Sequence, residues 1–168
     1  MKKTVEPSNL EDILSSLGSN EARNIAISRL IGKVDLPAQM IDSAIKDYEK
    51  AGWYSDAAKV ALRAGMIERA VKDYEKAEMY DLAAKIALKA GMTERAVEVY
   101  EKAEMYDLAT KVALKAGMTE KAEKLYQRVI EDHEKAGRYS DAAKVALKAG
   151  MTERAEKLRE LVELINKS

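Results

Sequence analysis

The chain holds 168 residues, 47 % apolar and 35 % charged, enough for one domain with a real core and too apolar for a disordered chain. Basic and acidic groups balance at 29 each with no long run of one sign, which argues against a nucleic-acid binder and for solvated helix faces. There is no cysteine, which excludes disulfides, thiolate zinc sites and cysteine nucleophiles. Lys2 and Lys3 are followed by no apolar stretch, so the start does not read as a secretory signal. Nothing approaches the roughly 18 apolar residues of a membrane span. The expected address is the cytoplasm. Missing Phe and heavy use of Lys, Glu and Ala suit a heat-tolerant protein and equally a designed one.

Residues 1–6 are expected to fray. Ser8, with Glu11 three residues on, forms a capping box. The short helix it opens should run to Leu17 and stop at Gly18. Ser19-Asn20 opens a second helix carrying Ile25, Ile27 and Leu30 and ending near Gly32. Asp35-Leu36-Pro37 opens a third, with Asp as cap and Pro in the first turn. Met40, Ile41, Ala44, Ile45 and Tyr48 follow at helical spacing. Residues 1–44 thus read as an N-terminal cap of about three helices.

From Ile45 the chain repeats. Ile45–Ala70, Val71–Ala96, Val97–Ala122 and Ile130–Ala155 are copies of one unit, and the second and third differ at only five positions. A fixed period of this size marks a stacked repeat protein. Each copy reads as two helices. In the second, Ile67 to Ala77 puts Ala70, Val71 and Tyr74 on one face. A tight turn follows at Glu78-Met79, where the first and last copies have Gly52 and Gly137. Tyr80 to Ala90 then turns Leu82, Ala83, Ile86, Ala87 and Ala90 inward. Gly91 ends that helix in the left-handed conformation, and Thr93 caps the next. The alanines let helix axes approach closely. Tyr74, Tyr80, Tyr100 and Tyr106 supply bulk at a fixed offset. Helices of about 11 residues are marginal alone and need their neighbours.

Seven extra residues, Glu123–Val129, precede the fourth copy. Seven residues are about two helical turns and preserve the face, so one long helix is expected from Thr119 to Ala136. A last helix, Thr152 to Asn166, lines up Leu158, Leu161, Val162 and Ile165 as a C-terminal cap. The predicted organisation is a cap over 1–44, repeats over 45–70, 71–96, 97–122 and 123–155, and a capping segment over 156–168.

Few residues suggest chemistry. His133 is the sole histidine and replaces a tyrosine of other copies, so it reads as a packing or surface residue. Ser55 and Ser140 precede Asp56 and Asp141 at helix starts and read as caps. No phosphate-binding loop or nucleophile elbow is present. Carboxylates abound, but none sits in a pattern that shifts a pKa, and Glu98 has Lys102 one turn on as a stabilising partner. The chain is expected not to be an enzyme and to need no cofactor or metal. Trp53, the one tryptophan, stands in a turn where other copies have Met79, Met105 and Arg138. It reads either as a side chain lying over the cap boundary or as a contact for a partner.

The aromatic late in the first helix, the small residue at the turn, the aromatic opening the second helix and the alanines along it are Tyr48, Gly52, Tyr54, Ala57 and Ala64 in the first copy. Tyr74, Tyr80, Ala83 and Ala90, then Tyr100, Tyr106, Ala109 and Ala116, then Gly137, Tyr139, Ala142 and Ala149 follow in the others. In this the chain resembles the tetratricopeptide (TPR) repeat family, as a compact variant with a period of 26 rather than about 34 residues. The early Trp-x-x-Leu-Gly of that family is missing. The resemblance implies an all-α, right-handed α-solenoid of stacked helical hairpins. It also implies a non-enzymatic interaction module binding a peptide or protein on its first helices. The family's groove positions fall on Glu68, Lys72, Glu75 and Lys76, then on Glu94, Glu98, Glu101 and Lys102. Their mixed charge suits a polar or mixed-charge segment. The alternative is a scaffold without a peptide groove. Monomer and homo-oligomer both remain open.

Overall fold

The computed structural model describes residues 7–167, and the expected fraying of residues 1–6 and the Ser8 cap side chain fall outside what it describes. The described residues form helices only: α1 (Pro7–Ser15), α2 (Asn20–Leu30), α3 (Ala38–Lys50), α4 (Tyr54–Arg63), α5 (Ile67–Lys76), α6 (Tyr80–Lys89), α7 (Thr93–Lys102), α8 (Tyr106–Lys115), α9 (Thr119–Lys135), α10 (Tyr139–Lys148) and α11 (Thr152–Lys167). They fall into two units, one ending at Gly91 and the other starting at Met92. Within each unit every helix packs on the next in sequence, α1 through α6 in the first and α7 through α11 in the second. This is an all-α stack of helical hairpins. No described helix is long and apolar enough to cross a membrane.

The turns are built from one device. Every linker from α3 onward is three residues long, and its middle residue has positive φ. At the end of α4 the Gly65 amide donates to the Leu62 carbonyl at 3.1 Å, and the Met66 amide to that of Ala61 at 2.9 Å. This paired closure is the Schellman ending, and it needs a left-handed residue in the middle. Met66 then turns its own carbonyl to the Ala70 amide, 3.0 Å away, and so opens α5. One residue closes a helix and caps the next.

That economy corrects several expected caps. Thr93, Ser55 and Ser140 lie inside helices, and the N-cap positions belong to Met92, Trp53 and Arg138, none with a side-chain cap bond. At α3 the N-cap position belongs to Pro37. Ser19 does cap α2, accepting from the Ala22 amide at 3.1 Å. At the front of the chain α1 starts at Pro7 and stops at Ser15, two residues before Leu17.

Alanines fill the interior. Ala57, Ala61, Ala83, Ala87, Ala109, Ala113, Ala142 and Ala146 are all without exposure. First-helix tyrosines Tyr48, Tyr74 and Tyr100 are buried, Tyr48 against Ala57 and Ala61, whereas Tyr80 and Tyr106, opening second helices, are half-buried. In the first unit, Leu10, Leu14, Ile27, Met40 and Ala44 join α1 to α3, and Ile45, Tyr48, Ala57, Val60 and Ala70 join α3 to α5. In the second, Ile130, Ala142, Ala146, Ala155 and Leu158 join α9 to α11. Each fully buried Ile, Leu or Val contributes about 1.5–3 kcal/mol, which a ten-residue helix lacks when alone.

Some expected core positions are outside it. Leu82 is exposed, and so is Ala90, the residue just after α6. The last helix departs most. Only Ala155 and Leu158 are buried on α11, while Leu161, Leu164 and Ile165 are exposed. The long helix is as expected: α9 runs unbroken through the seven inserted residues, with Leu125, Tyr126 and Val129 buried.

Candidate functional site

The groove positions divide between the two units, α5 in the first and α7 in the second, and each set stands on its own helix. On α5, Glu68 and Lys72 are exposed, but Glu75 is buried. Lys76 is occupied: its Nζ lies 5.0 Å from the centre of the Tyr54 ring and 3.5 Å from Asp73 Oδ1. On α7, Glu94, Glu98 and Lys102 are exposed and Glu101 is half-buried. Arg95 donates to Glu98 at 2.9 Å, so a guanidinium three residues before Glu98 holds this carboxylate.

Two of these glutamates belong to a structural series. The fifth residue of a copy is Glu, and the residue 20 positions on is Arg or Lys. Glu49 receives two parallel bonds from Arg69, both 3.2 Å. Glu101 pairs with Lys121 at 2.7 Å, and Glu134 takes Arg154 at 3.1 Å. These pairs tie one first helix to the next within a unit. Glu101 is withdrawn from a free groove face by its pair with Lys121, and Glu75, which also holds the fifth position, is buried. The recurrence was visible in the repeat, but residues 20 apart are not neighbours until helices stack.

Around the first of these pairs the charges crowd. Arg69 also bonds Asp42, which Lys46 holds at 2.7 Å. The Lys46 and Arg69 bonds keep the Asp42 carboxyl below its ordinary range. Burial would raise Glu49, but the Arg69 guanidinium outweighs it and the net shift is downward. Asp73 differs. It is wholly buried, and its ion-pair partner is Lys76, whose Nζ lies 3.5 Å from Oδ1. Burial first, and then the negative Glu49, push its pKa up. Sequence reading did not single out Asp73, because it looked like any solvated acid on a helix.

A concavity lies on another face of α3, toward α2. A cleft of about 350 Å³ opens between the start of α2 and the end of α3, with Glu21, Asn24, Asp47, Tyr48, Lys50 and Trp53 in its lining. Trp53 is 47 % exposed, with its ring centre 6.1 Å from that of Tyr48 and the planes tilted by 36°. Asn24 is buried and donates from its amide to Asp47 Oδ2 at 3.3 Å, which holds that carboxylate at the cleft. Burial raises the Tyr48 pKa, and negative Asp56 and Glu21 add to the rise. Met79, Met105 and Arg138, the counterparts of Trp53, are exposed too, so folding does not require an indole there.

Chemistry of other kinds has little support in the geometry. Among the described residues no group of three or more His, Asp or Glu is arranged to hold a metal ion. His133 is half-buried on α9, with Nδ1 enclosed and without a hydrogen-bond partner. Compared with known proteins, the chain matches no family model and none of the curated sequences.

Proposed function

We propose that this protein is a non-enzymatic interaction module that presents helical-repeat surfaces to a peptide or protein partner. One observation carries the reading: the single tryptophan stands exposed beside a cleft, at a turn position the repeat fills elsewhere with Met or Arg. An exposed indole costs solvation and adds nothing the other copies need, whereas Trp is strongly enriched at binding hot spots. The resemblance to TPR repeats supports the same class of function. Glu68, Lys72 and Lys76 on α5, and Glu94, Glu98 and Lys102 on α7, are the groove positions that remain at the surface.

The test is selection from a random peptide library by the parent chain, by Trp53→Met, and by a variant with Lys72, Glu98 and Lys102 reversed in charge. Peptides enriched by the parent and lost by either variant support recognition and say which surface does it. A library that yields nothing removes the reading for linear ligands.

A scaffold that associates with copies of itself is the second reading. It is favoured by α11, where Leu161, Leu164 and Ile165 are exposed at the positions that Arg128, Glu131 and Asp132 hold in α9, counting from Thr119 and Thr152. A mass by light scattering that rises with concentration supports it, and a strict monomer that captures peptides sinks it.

A further inference from the structure

We infer that the cleft beside Trp53 is a subsite for one arginine side chain of the partner, with the guanidinium stacked on the indole and its N–H donors turned to the Asp47 and Glu21 carboxylates. The inference rests on the interaction-module reading and sharpens it.

Three properties of the cleft converge. The first is its aromatic wall. Trp53 and Tyr48 stand 6.1 Å apart, and Trp53 keeps nearly half its surface in solvent. A free ring face attracts a cation, and a planar guanidinium stacks on it better than an ammonium does. The second is charge. Glu21 and Asp47 line the cleft against Lys50 alone, so acid exceeds base before a ligand arrives. Among the described residues neither Glu21 nor Asp47 joins an ion pair, in contrast to Asp42 and Glu49 at the other face of α3. The third is preorganisation. Asn24 is 95 % withdrawn from solvent, and its amide holds one Asp47 oxygen at 3.3 Å. A buried amide that orients a surface carboxylate leaves the second oxygen to accept from a fork-shaped donor. The end of α3 adds the negative pole of its helix dipole, which favours a cation near Lys50 and Ala51.

The volume suits the claim. About 350 Å³ takes one long side chain and no folded element. An anionic side chain would meet two carboxylates there, and an aliphatic one would leave both without a partner.

Trp53 is the only tryptophan, so indole emission reports on this cleft and nowhere else. The experiment is a titration of the intact chain with a blocked Gly-Arg-Gly peptide, against the same peptide carrying citrulline, which keeps the shape and loses the charge. The expected result is a saturable change in emission with the arginine peptide, on the order of millimolar affinity for so small a ligand. Citrulline should give no saturation. Asp47→Asn, which keeps an acceptor for Asn24, should weaken the arginine peptide about tenfold, and Glu21→Gln should weaken it less. No saturable change, or an equal response to citrulline, overturns the subsite, and neither outcome depends on a variant folding. The peptide selection separates the two failures. Enriched peptides that depend on Trp53 but carry no arginine remove the subsite and keep the module, whereas no enrichment at all removes the module.

Discussion

Helices α5 and α7 begin consecutive copies and share most of their sequence, yet they bury different chemistry at the same place. The third residue of the copy is Asp73 in α5 and Val99 in α7, and both are fully buried. Val99 contributes apolar area. Asp73 contributes none, and sets a buried carboxylate beside Glu49 with Lys76 Nζ 3.5 Å from it. The third residue of the other two copies is Asp47, half-buried, and Asp132, exposed, so burial at this position differs from copy to copy. The first unit carries a buried acid near a network of Asp42, Glu49 and Arg69, and that network is where its stability responds to pH.

The largest effect should come from making α7 resemble α5. Val99→Asp buries a carboxylate in an apolar site and should cost about 3 kcal/mol. A urea midpoint that drops at unchanged slope is the expected outcome, and an unmoved midpoint means that the position is wet. The reverse exchange, Asp73→Val, should stabilise the chain by about 1–3 kcal/mol at pH 7.

That gain should depend on pH in a definite direction. Asp73 has its folded pKa raised above 3.8 by burial and Glu49. Between 3.8 and the raised value the folded chain holds a proton the unfolded chain has released, so its stability falls as pH rises through the window. The advantage of Asp73→Val is thus full above that window and should shrink as the pH falls through it. Asp42 and Glu49 act oppositely. Their folded pKa values lie below 3.8 and 4.5, so their contribution is present above those values and is lost as pH falls through the folded ones. Denaturation midpoints of parent and variant from pH 3 to pH 8 would show the curves converging in acid. Parallel curves would mean that Asp73 does not titrate in this range.

A smaller effect separates the turns. Gly65 holds φ +77° where no Cβ would meet an obstacle, so the cost of a side chain there is backbone strain alone. Glu78 and Glu104 bear that strain at φ 57° and 56°. Glu78→Gly and Glu104→Gly should each stabilise by about 0.5–1 kcal/mol, less whatever flexibility glycine adds to the unfolded chain. Thermal midpoints that rise additively in the double variant would confirm it, and a fall would show that the glutamates make contacts worth more than the strain. The smallest effect belongs to the surface. Glu153 and Lys157 pair at 2.7 Å in open solvent, and Lys157→Ala should leave the midpoint where it is.

Much of the architecture was legible because it is local. Periodicity placed the repeat helices, the inserted seven residues extended α9 as two turns must, and glycines marked most of the turns. The polar caps at Thr93, Ser55 and Ser140 were misread for a local reason too. Three-residue linkers leave no room for a separate capping residue, so Met92, Trp53 and Arg138 serve both helices by backbone alone. The candidate site was legible only in part. Trp53 stood out as the one residue its repeat does not explain, but the cleft beside it needs α2 folded against α3.

What the amino-acid sequence determined by itself was everything repeated at short range: helix period, turn chemistry, the alanine faces and the tyrosine offsets. Tertiary structure alone decided which of the surface charges are free. Glu49 and Arg69, or Glu134 and Arg154, are 20 residues apart and pair only when one first helix lies against the next. The same stacking sealed Asp73 and left Leu161 and Ile165 open. Burial depends on what lies across the interface, and a helix carries no record of its neighbour in its own periodicity.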